Sequence, residues 1–175
     1  MTEGLPVGLV QVYTGKGKGK TTAALGLAMR AVGQGLRVVV LQFLKGKSDC
    51  GEHLFLKKYP AFEIIQPAAG SYFMASAERR RGRALETLEK ARELVTGGEY
   101  DLVVLDEALT AAARGFISTE DLLELIRAKP PQVELVLTGR GAPPEVIEAA
   151  DLVTEIAAVK HPFAKGMPAR KGIEF

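Results

Sequence analysis

The sequence predicts a doubly wound α/β domain built on a mainly parallel sheet. Three observations lead there. Short runs almost continuous in Val, Leu and Ile read as strands buried on both faces, which is the habit of parallel sheets. These runs alternate with helical patterns, as repeated β-α units require. A turn rich in Gly and Lys joins the first run to the first helix. In chain order the strand-like runs are Leu9–Tyr13, Val38–Leu44, Glu63–Ile65, Leu102–Leu105, Leu135–Leu137 and Leu152–Ile156. The first helix is expected over Thr21–Val32, rich in Ala and Leu. A second over Ala77–Val95 places Leu85, Leu88 and Val95 on one side and its charges elsewhere. A third, Ser118–Ala128, opens on Ser118 with Asp121 three residues on, which resembles a capping box. A fourth, Pro143–Ala150, opens on two prolines, tolerated in a first helical turn. Residues 157–175 read as a tail punctuated by Gly and Pro, with Lys160, Lys165, Arg170 and Lys171 set against Glu174. No repeat or linker interrupts the chain, so residues 1–175 are expected to form a single domain.

Composition narrows the function class. Hydrophobic residues are 47% and charged residues 25% of 175 residues, as in ordinary globular proteins. A net charge of +2 demands no nucleic-acid-binding face. The single cysteine, Cys50, allows no internal disulfide and suits a reducing cytoplasm. No basic region followed by an apolar run marks a signal peptide. The longest apolar runs, such as Val38–Leu44, fall far short of the roughly 20 residues that span a bilayer. The expectation is a cytoplasmic protein that engages neither membrane nor nucleic acid.

The segment Thr14-Gly15-Lys16-Gly17-Lys18-Gly19-Lys20-Thr21-Thr22 carries the chemistry. It follows a strand and opens a helix, the setting of a phosphate-binding loop. Glycines let the backbone curl into a concavity of N–H groups, and the helix N-terminus adds partial positive charge. Lys20 is expected to reach terminal phosphate oxygens, and the Thr21 hydroxyl to ligate Mg²⁺ (or Mn²⁺). The spacing is unusual: three residues separate Gly15 from Gly19 where the common loop has four, and Thr14 stands where its first glycine would be. The cradle is therefore shortened. The three lysines of the loop lack the interleaved aromatics of a single-strand nucleic-acid site.

A second signal is the run Leu102–Leu105 ending in Asp106-Glu107. A carboxylate at the C-terminal end of a strand in this fold faces the ligand crevice. Asp106 is expected to hold Mg²⁺ directly or through water, and Glu107 to share the metal or polarise a water. Arg140, just past another strand end, is a further phosphate or ribose contact or else a surface arginine. His53 and His161 show no metal-ligand spacing with Cys50; His161 either touches substrate or lies idle at the surface. Arg79-Arg80-Arg81 is either a solvated face or an attractor of anions.

Taken together these stretches resemble the P-loop corrinoid adenosyltransferases, the cob(I)alamin adenosyltransferases. The matching segments run from Val12 to Thr22, Val40 to Gly46, Val104 to Glu107, Leu137 to Gly141, Ala150 to Glu155, and along the tail from Val159-Lys160-His161 to Gly172-Ile173. The resemblance implies a P-loop NTPase-like, RecA-like fold. It implies that the Co(I) centre of a reduced corrinoid attacks the 5′ carbon of ATP and that triphosphate leaves whole. Lys16, Lys18, Lys20, loop N–H groups and Mg²⁺ would then neutralise the leaving group, with Lys20 and Arg140 as catalytic contacts and Gly15, Gly17, Gly19, Thr21 and Thr22 as loop contacts. Members of the family carry Phe-Thr-Trp under the corrin ring; here Ser71-Tyr72-Phe73 occupies that place, so Tyr72 and Phe73 are the candidate corrin wall. A homodimer and an electron-donor protein, flavodoxin-like or a dedicated reductase, are also implied. Many members have an N-terminal extension over the nucleotide, whereas Met1–Gly8 alone precede the first strand here. Two other readings of the residues stand beside this one: an ATP-hydrolysing P-loop domain using Glu107, and a non-catalytic nucleotide switch.

Overall fold

Strands that are apolar at every position need cover above and below, and the chain supplies it. The computed structural model describes residues 4–45, 50–66 and 75–174. Its elements are β1 (Val10–Thr14), α1 (Lys20–Gly33), β2 (Val38–Gln42), α2 (Gly51–Lys58), β3 (Glu63–Ile65), α3 (Ala77–Thr96), β4 (Leu102–Asp106), α4 (Ala108–Ala113), α5 (Thr119–Ala128), β5 (Glu134–Thr138), α6 (Pro144–Ala149) and β6 (Leu152–Glu155), followed by one helical turn at Pro162–Lys165. The strands form one sheet in the order β3-β2-β4-β5-β1-β6. Every pairing is parallel.

Alternation along each strand divides the core in two. Val39, Leu41, Val103, Leu105, Leu135 and Leu137 face one side, where they meet Leu88, Ala91 and Val95 of α3, Leu109 of α4, Leu122 and Leu125 of α5, and Val146 of α6. Val38, Val40, Leu102, Val104 and Val136 face the other, against Ala24, Ala28 and Ala31 of α1. The small alanines let α1 lie close to the sheet, which brings the start of that helix to the strand ends. At the far edge β6 is exposed along its whole length.

The six predicted strands all exist, with ends shifted by at most two residues. The four predicted helices are α1, α3, α5 and α6. Ser118 caps α5 as expected: its hydroxyl accepts from the Asp121 amide, and the Asp121 carboxylate accepts from the Ser118 amide. Two helices were not foreseen. α2 buries none of its residues, so it shows no apolar stripe; α4 is six residues rich in alanine, too short to display a period. One core assignment is corrected: Leu88 and Val95 are buried, but Leu85 is 42% exposed and Ala84 takes its place against the sheet. Among the described residues no helix is long and apolar enough to cross a membrane. Tyr72 and Phe73 lie outside the described residues.

The cap on α5 gives a direct test of this local reading. Ser118→Ala should lower the unfolding free energy by about 1 kcal/mol, read as a shifted urea midpoint with an unchanged m-value. An unaltered midpoint would mean the cap contributes nothing.

Candidate active site

At the C-terminal ends of the strands lies a crevice of about 570 Å³, lined by residues 17–22, Leu25, Lys45, Gly51, Glu52, Glu107, Arg140, His161 and residues 172–174. The turn between β1 and α1, the segments just past β2, β4 and β5, the start of α2 and the tail meet there.

The turn is shaped by the chain beyond β6. The Gly17 amide donates to the Ile156 carbonyl at 2.7 Å. A side chain at Gly17 would meet that oxygen at 2.7 Å and the Ala157 carbonyl carbon at 2.8 Å. Glycine is thus required here for close backbone approach as well as for any ligand. Lys20 is buried and folds back on the turn, its ammonium donating to the carbonyls of Gly15 at 2.8 Å and Gly17 at 2.7 Å. Burial, then the nearby Arg140 charge, pulls its pKa below that of an ordinary lysine. Lys16 is exposed and stands outside the lining, while Lys18 is inside it. Lys18 donates to the Ile173 carbonyl at 3.3 Å and pairs with Glu174 at 3.2 Å. Glu174 is also held by Arg170, whose guanidinium and amide bonds, with Lys18 adding, depress its pKa to about 2. The tail therefore closes on the loop. His161 lines the crevice with its Nδ1 accepting from the Phe163 amide at 3.2 Å.

Asp106 is the hub. It is fully buried at the end of β4, and its two oxygens are bonded by four side chains from four segments. Oδ1 accepts from the hydroxyls of Thr21 at 2.8 Å and Thr138 at 2.7 Å. Oδ2 accepts from Gln42 Nε2 at 3.3 Å and pairs with the Lys45 ammonium at 2.9 Å. Burial pulls the Lys45 pKa down, but the Asp106 and Glu52 carboxylates together outweigh it, so the pKa stands above that of an ordinary lysine. Behind Gln42, its carbonyl oxygen receives Gln66 Nε2 at 2.6 Å and lies 2.9 Å from His53 Nε2. Burial lowers the His53 pKa, which favours the neutral imidazole.

Glu107 lines the crevice with φ at +62°, in the left-handed region that non-glycine residues seldom adopt. Its amide donates to Thr138 Oγ1 at 3.0 Å. Thr138 thus fixes both acidic residues. Past β5, Gly139 has φ of +144°, and a Cβ there would meet the Thr110 amide nitrogen at 2.5 Å. That turn carries Arg140 into the crevice, with its amide donating to Thr110 Oγ1 at 2.8 Å.

A family model described as ATP:corrinoid adenosyltransferase BtuR/CobO/CobP matches residues 6–175. The chain belongs to this family. A protein named corrinoid adenosyltransferase from Pseudomonas aeruginosa is 39% identical over 171 residues, spanning 96% of this chain and 84% of its own length. Another of that name from Escherichia coli is 34% identical over 168 residues, spanning 96% and 86%. Among solved structures, a KaiC-like protein from Pyrococcus horikoshii superposes with a TM-score of 0.60 at 19% identity over 87% of this chain and 74% of its own. The flagellar accessory protein FlaH from Methanocaldococcus jannaschii does so with 0.58 at 13%, over 86% and 72%. These two establish the fold, which is P-loop NTPase-like and RecA-like.

Within this member of the ATP:corrinoid adenosyltransferase family, the structure brings Gly17, Lys18, Gly19, Lys20, Thr21, Thr22, Glu107 and Arg140 to one crevice, with Asp106 bonded to its lining. Gly15 and Lys16 are left outside it. Arg79 and Arg81 are exposed on α3. Gln42, Lys45, Glu52, Thr138 and Glu174 were missed as site residues. For Gln42 and Thr138 a signal existed, since each is a polar residue ending an apolar strand, as Asp106 does. Lys45 and Glu174 carried none, because their partners come from distant segments.

Gly139→Ala tests the turn that presents Arg140. The left-handed backbone and the clash with Thr110 should together cost about 1–3 kcal/mol of stability and weaken ATP binding. Thermal unfolding and equilibrium ATP titration read the two effects, and a variant normal in both would show that the turn tolerates a side chain.

Proposed function

We propose that this chain transfers the 5′-deoxyadenosyl group of ATP to the Co(I) centre of a reduced corrinoid and releases triphosphate. Cobalt supplies the electron pair for the new cobalt–carbon bond and becomes Co(III). The bond between the ribose 5′ carbon and its oxygen breaks, and its pair leaves with triphosphate. Co(I) has no proton to lose, so the reaction needs no general base. What it needs is positioning of the 5′ carbon and neutralisation of a polyanionic leaving group.

The observation that carries the reading is the convergence of the glycine-lysine turn with Lys18, Lys20, Lys45 and Arg140 on one crevice in a chain of this family. Thr21 and Asp106 offer hard oxygen donors 2.8 Å apart, the donor chemistry that Mg²⁺ or Mn²⁺ prefers beside waters and phosphates. They are the residues that would hold the ion, with Glu107 close by; bound there, it would neutralise charge on the triphosphate. Lys20 leaves its two carbonyls to meet phosphate oxygens, and Arg140, which lines the same crevice, adds a second cation. The shortened loop supports a nucleotide laid along the crevice in the reverse of the usual sense, so that its 5′ carbon faces the corrinoid.

Tyr72 and Phe73 complete the proposal as an apolar wall beneath the corrin. A lower ligand donates electron density to cobalt and hinders reduction to Co(I), so a wall that excludes it assists the electron transfer. The electron itself comes from a separate donor, flavodoxin-like or a reductase, because neither ATP nor the crevice side chains supply one. Homodimer formation rests on the family likeness and on Leu152 and Val153, each 40% exposed on the edge strand. The domain is taken as residues 1–175, with 157–175 as a tail whose Ile173 and Glu174 close on the loop.

An anaerobic assay with chemically reduced cobalamin, ATP and Mg²⁺ should give adenosylcobalamin and triphosphate in equal amounts. Diphosphate with phosphate would identify an ATP hydrolase instead. Lys20→Ala should lose most of the rate and ATP affinity, since a charge-assisted hydrogen bond contributes about 1.5–3 kcal/mol; near-normal values would remove the loop from the site.

Phe73→Ala should slow adenosylation that starts from Co(II) under enzymatic reduction far more than adenosylation from pre-reduced Co(I). ATP affinity should hardly change. Equal losses in both assays would place Phe73 in the structural core.

A further inference from the structure

We infer that Lys45 is the resident counter-ion of Asp106 and is exchanged for the divalent cation when nucleotide enters. The inference rests on the metal site proposed above and adds a residue and a device to it.

A carboxylate has about four acceptor positions, and at Asp106 all four are taken: Thr21 and Thr138 on Oδ1, Gln42 and Lys45 on Oδ2. A cation that ligates this group directly must displace one donor. Thr138 and Gln42 end strands β5 and β2 and are almost fully buried, 0% and 1% exposed, so the sheet holds both in place. Thr21 is itself a candidate ligand. Lys45 differs from all three. It lies past the end of β2 on a four-carbon stem, its side chain is 27% exposed, and it lines the crevice. It also carries the charge that a metal ion beside the same oxygen would repel.

Lys45 has somewhere to go. Glu52, near the start of α2, already lies 3.4 Å from its ammonium and lines the same crevice. Moving from Asp106 to Glu52 keeps the ammonium paired and turns it toward the space assigned to triphosphate. Asp106 in turn is never left as an uncompensated buried charge, a strongly destabilised state. Lys45 is thus a positioning residue for the metal: it keeps the Asp106 carboxylate paired and oriented before nucleotide arrives, then yields its place.

The test is calorimetric titration of ATP into the full chain at a series of Mg²⁺ concentrations, without corrinoid. The reading is the Mg²⁺ concentration that gives half of the metal-dependent gain in ATP affinity. Lys45→Met removes the competitor and should lower that concentration by about threefold to fivefold, the range open to a partly exposed ion pair. Glu52→Gln removes the alternative partner and should raise it. The double variant should match Lys45→Met, because Glu52 acts through Lys45. A half-saturation that stays put or rises in Lys45→Met would overturn the exchange, as would a Glu52→Gln shift that survives in the double variant. If Lys45→Met fails to fold, the sign of the Glu52→Gln shift decides, a fall or no change counting against the exchange. Wild-type ATP binding indifferent to Mg²⁺ would remove the metal site and the exchange with it, and that result shows before any variant is made.

Discussion

The site is organised by the cost of burying one carboxylate. Asp106 is fully inaccessible at the end of a central strand, and an ionised group there is tolerable only if every lone pair finds a donor. The donors arrive from α1, from the ends of β2 and β5, and from the segment after β2. Satisfying this one group therefore fixes the start of α1, which carries the glycine-lysine turn, against the sheet. It also fixes Thr138, which holds the Glu107 amide and precedes the turn that presents Arg140. Geometry at the crevice is a consequence of charge compensation below it.

The sheet order gives this hub its reach. β5 lies between β1 and β4, so Thr138 stands between the strand that feeds the loop and the strand that ends in Asp106. A threonine there can bond sideways to the carboxylate while accepting from the next amide. The parallel arrangement puts all three strand ends on the same rim, where ligands bind in folds of this class.

Much of this was legible in the sequence, for identifiable reasons. The buried strands announced themselves because Val38–Leu41 and Leu102–Leu105 are apolar at every position, and the long helix α3 because its charges avoid one face. The loop was legible because its chemistry is local: Gly15 to Thr22 are contiguous, and the carboxylate at Asp106 ends a strand. What was hidden depends on contacts between distant segments. Lys45 reads as one more lysine after a strand until β2 is seen beside β4, and Gln42 and Thr138 read as strand ends until Asp106 lies between them. Leu85 was misplaced because the helical stripe is wide enough to admit either it or Ala84, and only the packing of α3 against the sheet chooses. α2 was invisible because it buries nothing, so burial could leave no pattern in its sequence.

The three lysines of the crevice share a further property. Lys20 is already bonded to two loop carbonyls, Lys18 to Glu174 and the Ile173 carbonyl, and Lys45 to Asp106 and Glu52. In the proposed reaction, triphosphate would have to replace existing partners of these lysines, so the net gain per contact would be smaller than the contact itself. For a reaction whose leaving group is a triphosphate, that is an advantage. Cations that gripped the polyanion without competition would hold the ground state and the product as firmly as the transition state, which lowers turnover rather than raising it. In the proposed reaction, pre-paired lysines would stay oriented, respond to the charge that builds as the carbon–oxygen bond breaks, and return to their internal partners when triphosphate departs. Their internal bonds would thus keep the site assembled before the nucleotide arrives and help it to empty afterwards.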